Sequence, residues 1–263
     1  MNLAALQMDL AWEDRPANHD RVRSLVAGLQ GLAGGLLVLP ELFATGFSME
    51  TQRTRPGATW EDAVLLSELA RKTGALVIGG TVGDRAGHLH NEALAVGPAG
   101  EILARYAKIH TFGPANEGAA YRAGTEVVVV DWAGHRICPL ICYDLRFPEV
   151  FRLGLDQGAT LFVVIASWPA RRAQHWLTLL QARAIENQAF VLGVNRCGTD
   201  PIGGYSGRSC LVSPHGVIVA DAGEIPGILR ATADPALVTR WRTEFPVARD
   251  RRWTTPRLHN ASA

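Results

Sequence analysis

Short apolar runs rich in Val, Ile and Leu recur along this chain, and longer amphipathic stretches separate them. Leu3–Met8, Leu36–Leu39, Ala75–Gly79, Ala93–Val96 and Ile102–Lys108 read as strands. In the second half Val127–Asp131, Arg136–Cys142, Leu161–Ala166, Phe190–Asn195, Cys210–Ser213 and Val217–Asp221 read likewise. Arg15–Leu32, Trp60–Thr73, Pro148–Gln157 and Arg171–Asn187 carry apolar residues three and four apart and predict helices. On and just beyond the last of these, Ala182, Ile185 and Ala189 with neighbouring Leu177 and Leu180 outline one face expected to be buried. The segments Val96-Gly-Pro-Ala-Gly-Glu-Ile and Val212-Ser-Pro-His-Gly-Val-Ile share one strand–turn–strand pattern and suggest a repeat between the two halves. No linker or charge block divides them. The expectation is one α/β domain over residues 1–245, with a tail over 246–263 where Pro246, Arg249, Arg251, Arg252 and Pro256 crowd together.

Composition narrows the function. Hydrophobic residues make up 48% and charged residues 19%, which suits a packed core and not a disordered chain. The 26 basic and 25 acidic residues nearly cancel, so no nucleic-acid partner and no polybasic membrane contact are expected. The N-terminal stretch has no basic region before its apolar residues, and the apolar runs fall far short of a membrane span. Cys138, Cys142, Cys197 and Cys210 are too few for a disulfide framework in a chain of 263 residues. A cytoplasmic protein with free thiols is the expectation. Cys138 and Cys142 have metal-pair spacing but no further ligands at suitable positions, so no metal is expected.

Three reactive groups stand where strands run out. Leu36-Leu-Val-Leu-Pro-Glu41 ends on a carboxylate, Tyr106-Ala-Lys108-Ile-His110 on a lysine, and Pro139-Leu-Ile-Cys142 on a thiol. In α/β sheets ligands gather beyond the carboxyl ends of strands, so the three could converge. Each has a plainer reading: Glu41 as a turn cap, Lys108 as a solvated edge lysine, Cys142 as a small buried hydrophobe.

The segments PELFATGF, YAKIH and PLICYDLRFPEVFR, in this order, resemble the nitrilase (carbon–nitrogen hydrolase) superfamily, and the resemblance extends from ALQMDLAWED to about residue 245. It implies a four-layer αββα sandwich and a cofactor-free Glu–Lys–Cys triad at Glu41, Lys108 and Cys142 that hydrolyses amides or nitriles. Pro114-Ala-Asn-Glu117 implies the additional glutamate. A finer resemblance, in Ser167-Trp-Pro-Ala-Arg-Arg, His175-Trp176 and Leu180-x-Ala-Arg-Ala-Ile-Glu-Asn-Gln188, is to the ω-amidase branch, which acts on 2-oxoglutaramate and 2-oxosuccinamate. Two departures stand out: Ser167 replaces an Asn of that pattern, and Arg208 replaces an Asp near the expected pocket rim. The resemblance also implies a homodimer through the helices at Pro148–Gln157 and Arg171–Asn187.

The residue types suit the chemistry. A thiol attack splits amide hydrolysis into two easier steps through a thioester. Glu41 is the candidate base and acid, Lys108 the charge facing the oxyanion, and the Tyr143 N–H a second donor if a helical turn begins there. Asp144 can cap that turn, and Pro148 fits an early helical position. Arg172 is a candidate for a substrate carboxylate, with Trp168 and His175 nearby. The substrate is then a small ω-amide. Alternatives are an N-carbamoyl-amino-acid or deaminated-glutathione amidase, or an idle binding scaffold.

Overall fold

The computed structural model describes residues 1–252. Its strands are β1 (Asn2–Gln7), β2 (Leu36–Val38), β3 (Leu76–Arg85), β4 (His88–Val96), β5 (Ile102–Ala107), β6 (Val130–Trp132) and β7 (His135–Ile141). They continue with β8 (Leu161–Ala166), β9 (Phe190–Asn195), β10 (Cys197–Asp200), β11 (Gly203–Ser206), β12 (Cys210–Val212), β13 (Ile218–Asp221) and β14 (Gly227–Thr232). The helices are α1 (Arg15–Ala27), α2 (Thr51–Thr54), α3 (Glu61–Thr73), α4 (Glu117–Ala120), α5 (Pro148–Asp156), α6 (Ala173–Asn187) and α7 (Pro235–Glu244).

Two six-stranded sheets form, with orders β14-β1-β2-β3-β4-β5 and β13-β12-β9-β8-β7-β6. In the first, β1, β2 and β3 are parallel, β14 is antiparallel on one edge, and the β4–β5 pair is antiparallel on the other. The second repeats the pattern: β7, β8 and β9 are parallel, flanked by antiparallel β6 and by the β12–β13 pair. The two Pro-x-Gly turns seen in the sequence are the β4–β5 and β12–β13 connections. They close alike: Gly97 N–H donates to Glu101 O and Ser213 N–H to Val217 O, with Gly100 and Gly216 both at positive φ. The repeat read from those turns is real.

Alternation along the strands builds the layers. Leu3 and Ala5, Leu36 and Val38, Leu76 and Ile78 face a core shared with the second sheet. Their neighbours Ala4, Leu6, Leu37 and Val77 face outward against Val22 and Val26 of α1 and Leu65, Leu66 and Leu69 of α3. On the far side, Phe151 of α5 and Trp176, Leu180 and Ala184 of α6 cover the second sheet. The result is the expected αββα sandwich. One part of the helix expectation fails: Ile185 is 55% exposed, because the buried face of α6 runs through Trp176, Leu180, Arg183, Ala184 and Asn187 and leaves it on the outer side.

Boundaries shifted where polarity hid them. β3 and β4 run on through a polar hairpin that joins Arg85 to His88, and the strand expected at Val127–Asp131 forms as Val130–Trp132. β10, β11, β14 and α7 had no counterpart in the sequence reading. The expected tail enters the description only as the turn Val247–Asp250 and the following Arg251 and Arg252; residues 253–263 lie outside the described residues. Among the described residues no helix is long and apolar enough to cross a membrane.

Candidate active site

Glu41 follows β2 in a turn pressed against β3. Gly80 makes the approach possible, since a Cβ there would lie 2.6 Å from the Glu41 Cα. Lys108 stands one residue beyond β5, and Glu117 opens α4. All three are sequestered: Glu41 and Glu117 are 0% exposed and Lys108 is 1% exposed. The plainer reading of Lys108 as a solvated edge lysine therefore falls away.

The groups form one network. Lys108 Nζ donates to Glu41 Oε1 at 2.9 Å and to both Glu117 oxygens, at 3.0 Å and 2.9 Å. Asn91 Nδ2 bridges the same two carboxylates, at 2.8 Å from Glu41 Oε1 and 2.9 Å from Glu117 Oε1. Backbone donors fix the remaining oxygens: Ser167 N–H to Glu41 Oε2 at 2.7 Å and Phe112 N–H to Glu117 Oε2 at 2.6 Å. Burial works to discharge Lys108, but the two carboxylates outweigh it and hold its pKa well above the ordinary range. The ammonium is a fixed charge.

Cys142 directly follows β7 and starts a 3-10 turn over Cys142–Arg146. Its φ of +44° is a left-handed conformation rare for a residue with a side chain, and Leu42, beside Glu41, has one of +45°. Asp144 holds the turn in shape. Its buried carboxylate accepts from Ile141 N–H at 3.1 Å, from Tyr106 Oη at 2.7 Å, and from the His110 N–H at 2.9 Å, with His110 Nδ1 also at 2.9 Å. The capping expected of Asp144 is present, and α5 begins at Pro148 as foreseen. The same bonds tie the strand end bearing Lys108 to the turn bearing the thiol. His110 is occupied by Asp144 and stacks on Phe147 at 3.7 Å, and so serves the turn.

The Lys108 charge and burial act on the thiol in opposite directions. Lys108 does pull the Cys142 pKa down, but burial, first, and the Glu41 carboxylate push it well above the ordinary thiol value. Burial and that carboxylate both favour the protonated thiol. Burial also raises Cys138, Cys197 and Cys210, with Cys197 pushed up to about 11 and Cys210 to about 12.

A cavity open at its mouth descends to Lys108, Cys142 and Ser167. Phe47, Phe112, Tyr143, Trp168 and Tyr205 give it aromatic walls, and Arg146, Arg171 and Arg172 bring three guanidinium groups to it. Arg146 lies 4.7 Å over the Trp168 ring, and Arg172 lies 5.6 Å from the Phe112 ring. Neither faces a carboxylate among the described residues. Burial, then the like charges of Arg171 and Arg146, lower the Arg172 pKa.

Of the residues expected to bind substrate, Tyr143, Trp168 and Arg172 line this cavity. His175 does not: it is exposed and meets the cavity only through Arg146, whose Nη2 lies 3.3 Å from its Nδ1. Arg208 is also absent from the lining. It pairs with Asp221 at 2.7 Å on the outer surface, which explains how a base can stand there without touching a ligand. Asn91, Arg146 and Tyr205 were missed. A signal for Lys108 was also passed over: the chain has two lysines, Lys72 and Lys108, against a large majority of arginines.

With this geometry in place the comparisons decide the family. The carbon–nitrogen hydrolase model matches residues 2–243. The chain belongs to the carbon–nitrogen hydrolase family. Among curated relatives, an omega-amidase of Escherichia coli K12 is 39% identical over 95% of this chain and 96% of its own length. The 2-oxoglutaramate amidase of Bacillus subtilis is 32% identical over 94% of this chain and 96% of its own. A carbon–nitrogen hydrolase superfamily protein of Xanthomonas campestris, solved with an arsenic adduct in its active site, superposes with a TM-score of 0.90. It is 33% identical, over 96% of this chain and 97% of that one. The chain is thus a hydrolase of carbon–nitrogen bonds.

Proposed function

We propose that this enzyme is an amidase that removes ammonia from the terminal amide of small ω-amido dicarboxylic acids, 2-oxoglutaramate and 2-oxosuccinamate, through a thioester on Cys142. The observation that carries the reading is the cavity itself: it is lined by a thiol and by a buried ammonium that two carboxylates hold, and its wall carries guanidinium groups with no carboxylate partner among the described residues. The relatives named for omega-amidase and 2-oxoglutaramate amidase activity support the substrate class.

Glu41 takes the Cys142 proton as sulfur attacks the amide carbon, since the thiol does not ionise unaided. The carbonyl oxygen becomes an anion facing Lys108 Nζ and the Tyr143 N–H, a first-turn donor with no acceptor inside its own turn. One such donor contributes about 3–4 kcal/mol of transition-state stabilisation. Glu41 returns the proton to nitrogen, the C–N bond breaks and ammonia leaves. Glu41 then takes a proton from water, whose oxygen attacks the thioester; the acid departs and the sulfur regains a proton from Glu41. Glu117 and Asn91 hold Lys108 and Glu41 in register throughout. At the other end of the substrate, Arg172 pairs with the carboxylate, which relieves the repulsion among the three arginines.

We place this activity in the reducing cytoplasm, a reading supported by the four free cysteines. The test is ammonia release from 2-oxoglutaramate beside glutamine, an N-carbamoyl-amino acid and a nitrile. Turnover confined to the nitrile, or to the carbamoyl compound, rejects the substrate class, and silence on all four restores the idle scaffold.

A further inference from the structure

The β10–β11 hairpin belongs to neither large sheet, yet Ile202, Gly203, Gly204 and Tyr205 from it form one wall of the cavity. A lone two-stranded ribbon is marginal in water, so something must hold it. Arg196, 0% exposed, does so. Its Nη1 donates to Asp200 Oδ2 at 2.6 Å, and its Nη2 reaches Leu10 O and Thr199 O at 3.3 Å each. Asp9 Oδ1 stands 3.5 Å from Nη2, and the guanidinium lies 4.2 Å over the Tyr205 ring. The other Asp200 oxygen accepts from Ile202 N–H at 2.8 Å and Gly203 N–H at 3.1 Å, closing the hairpin turn. At the base, Gly198 has a φ of +80°, and a Cβ there would meet Asp9 Oδ1 at 2.0 Å, so the ribbon is pressed onto the end of β1. Beyond it, β11 packs on the turn Ala170–Arg172 that carries two of the cavity arginines.

We propose that Arg196 and Asp200 are positioning residues for substrate recognition: the pair locks the β10–β11 turn, and the ribbon in turn braces the arginine-bearing segment against the acid end of the substrate. The proposal rests on the reading of Arg172 as the carboxylate partner. A buried ion pair is a costly way to hold a ribbon, and breaking one side leaves an uncompensated charge. Both observations point to a demand for fixed geometry at this wall. The triad takes no part in it.

The test compares 2-oxoglutaramate with butyramide, which has an amide but no carboxylate. Asp200→Asn keeps the shape of the side chain and weakens the turn. It is expected to raise KM for 2-oxoglutaramate about tenfold while kcat stays within about twofold, and to leave butyramide turnover unchanged. Arg196→Lys should behave alike. If either variant fails to fold, the double variant Arg196→Met/Asp200→Leu removes both buried charges together and is measured in its place. A fall in kcat shared by both substrates, or an unchanged KM in a folded variant, overturns the proposal. Arg172→Ala is the control. If it does not discriminate between the two substrates, the carboxylate reading fails by itself; if it does discriminate while Asp200→Asn leaves KM for 2-oxoglutaramate unchanged, the hairpin proposal alone fails.

Discussion

At Cys142 burial and charge pull against each other, and burial wins. Because the folded thiol titrates above the ordinary range, its reaction with iodoacetamide should still climb between pH 7 and pH 9.5 without a plateau. Glu41 is one cause of that elevation. Glu41→Gln should therefore be alkylated faster than wild type at pH 9 while its turnover falls on the order of a thousandfold. Lys108→Met removes the opposing cation, so its alkylation should slow. Slower alkylation of Glu41→Gln would show that Glu41 does not raise the thiol. With substrate the two variants should separate again: Glu41→Gln acylates slowly and stalls as a thioester visible by intact-protein mass spectrometry, whereas Lys108→Met fails before it. An adduct seen in Lys108→Met alone would reverse the two roles.

Lys108 carries a second residue-scale prediction. A chain that otherwise draws its cations almost wholly from arginine keeps an ammonium between Glu41 and Glu117, because three donors on one compact atom satisfy both carboxylates. The planar guanidinium is larger and cannot converge on one point. Lys108→Arg should lose activity nearly as fully as Lys108→Met in the ammonia assay, and substantial turnover would show that charge alone suffices. Cys142→Ala should abolish turnover, while alanine at Cys138, Cys197 or Cys210 should leave it within about threefold, since those thiols are buried away from the cavity.

At the scale of elements, the Cys142 turn depends on one carboxylate. Asp144→Ala would strand the Ile141 and His110 amides and the Tyr106 hydroxyl in the interior, a loss of about 3 kcal/mol or more. For a chain of this length that corresponds to a fall in Tm of roughly 6–12 °C, measurable by thermal denaturation. An unchanged Tm would mean that the turn is held by its packing alone. Elements were legible in the sequence where burial wrote a pattern: β8 and β9 are buried along their whole length and were found residue for residue. They were illegible where a tertiary partner substitutes for pattern. β10 and β11, Cys-Gly-Thr-Asp and Gly-Gly-Tyr-Ser, have no apolar alternation and exist because Arg196 reaches back to them. α7 shows the opposite failure. Its Asp234 cap and Pro235 start were both present in the sequence but lay outside any strong apolar stripe. Glu41, Lys108 and Cys142 were legible as a set because each stands just past a strand, inside a segment that resembles the family. Asn91 was not, since a polar residue inside a strand declares itself only when its partners are in place.

At the scale of the molecule, the Cys142 turn leads into α5 and the arginine turn leads into α6, and the two helices lie side by side on the outer face of the second sheet. That layer thus stands behind two walls of the site at once. We propose that it is the interface of a homodimer, with the exposed Ile185 of α6 and the Arg152–Glu186 pair on its surface. A stable dimer of this kind buries about 1,600 Å² in all. Light scattering at micromolar concentration should give twice the chain mass of 28.4 kDa. Ile185→Glu places a charge at the contact and should shift the species toward the monomer. Because both site-bearing turns are then unbraced, kcat/KM should fall together with the dimer fraction and recover as protein concentration rises. A monomeric wild type removes the proposal. A monomeric Ile185→Glu with full activity would keep the dimer and show that the site does not depend on it.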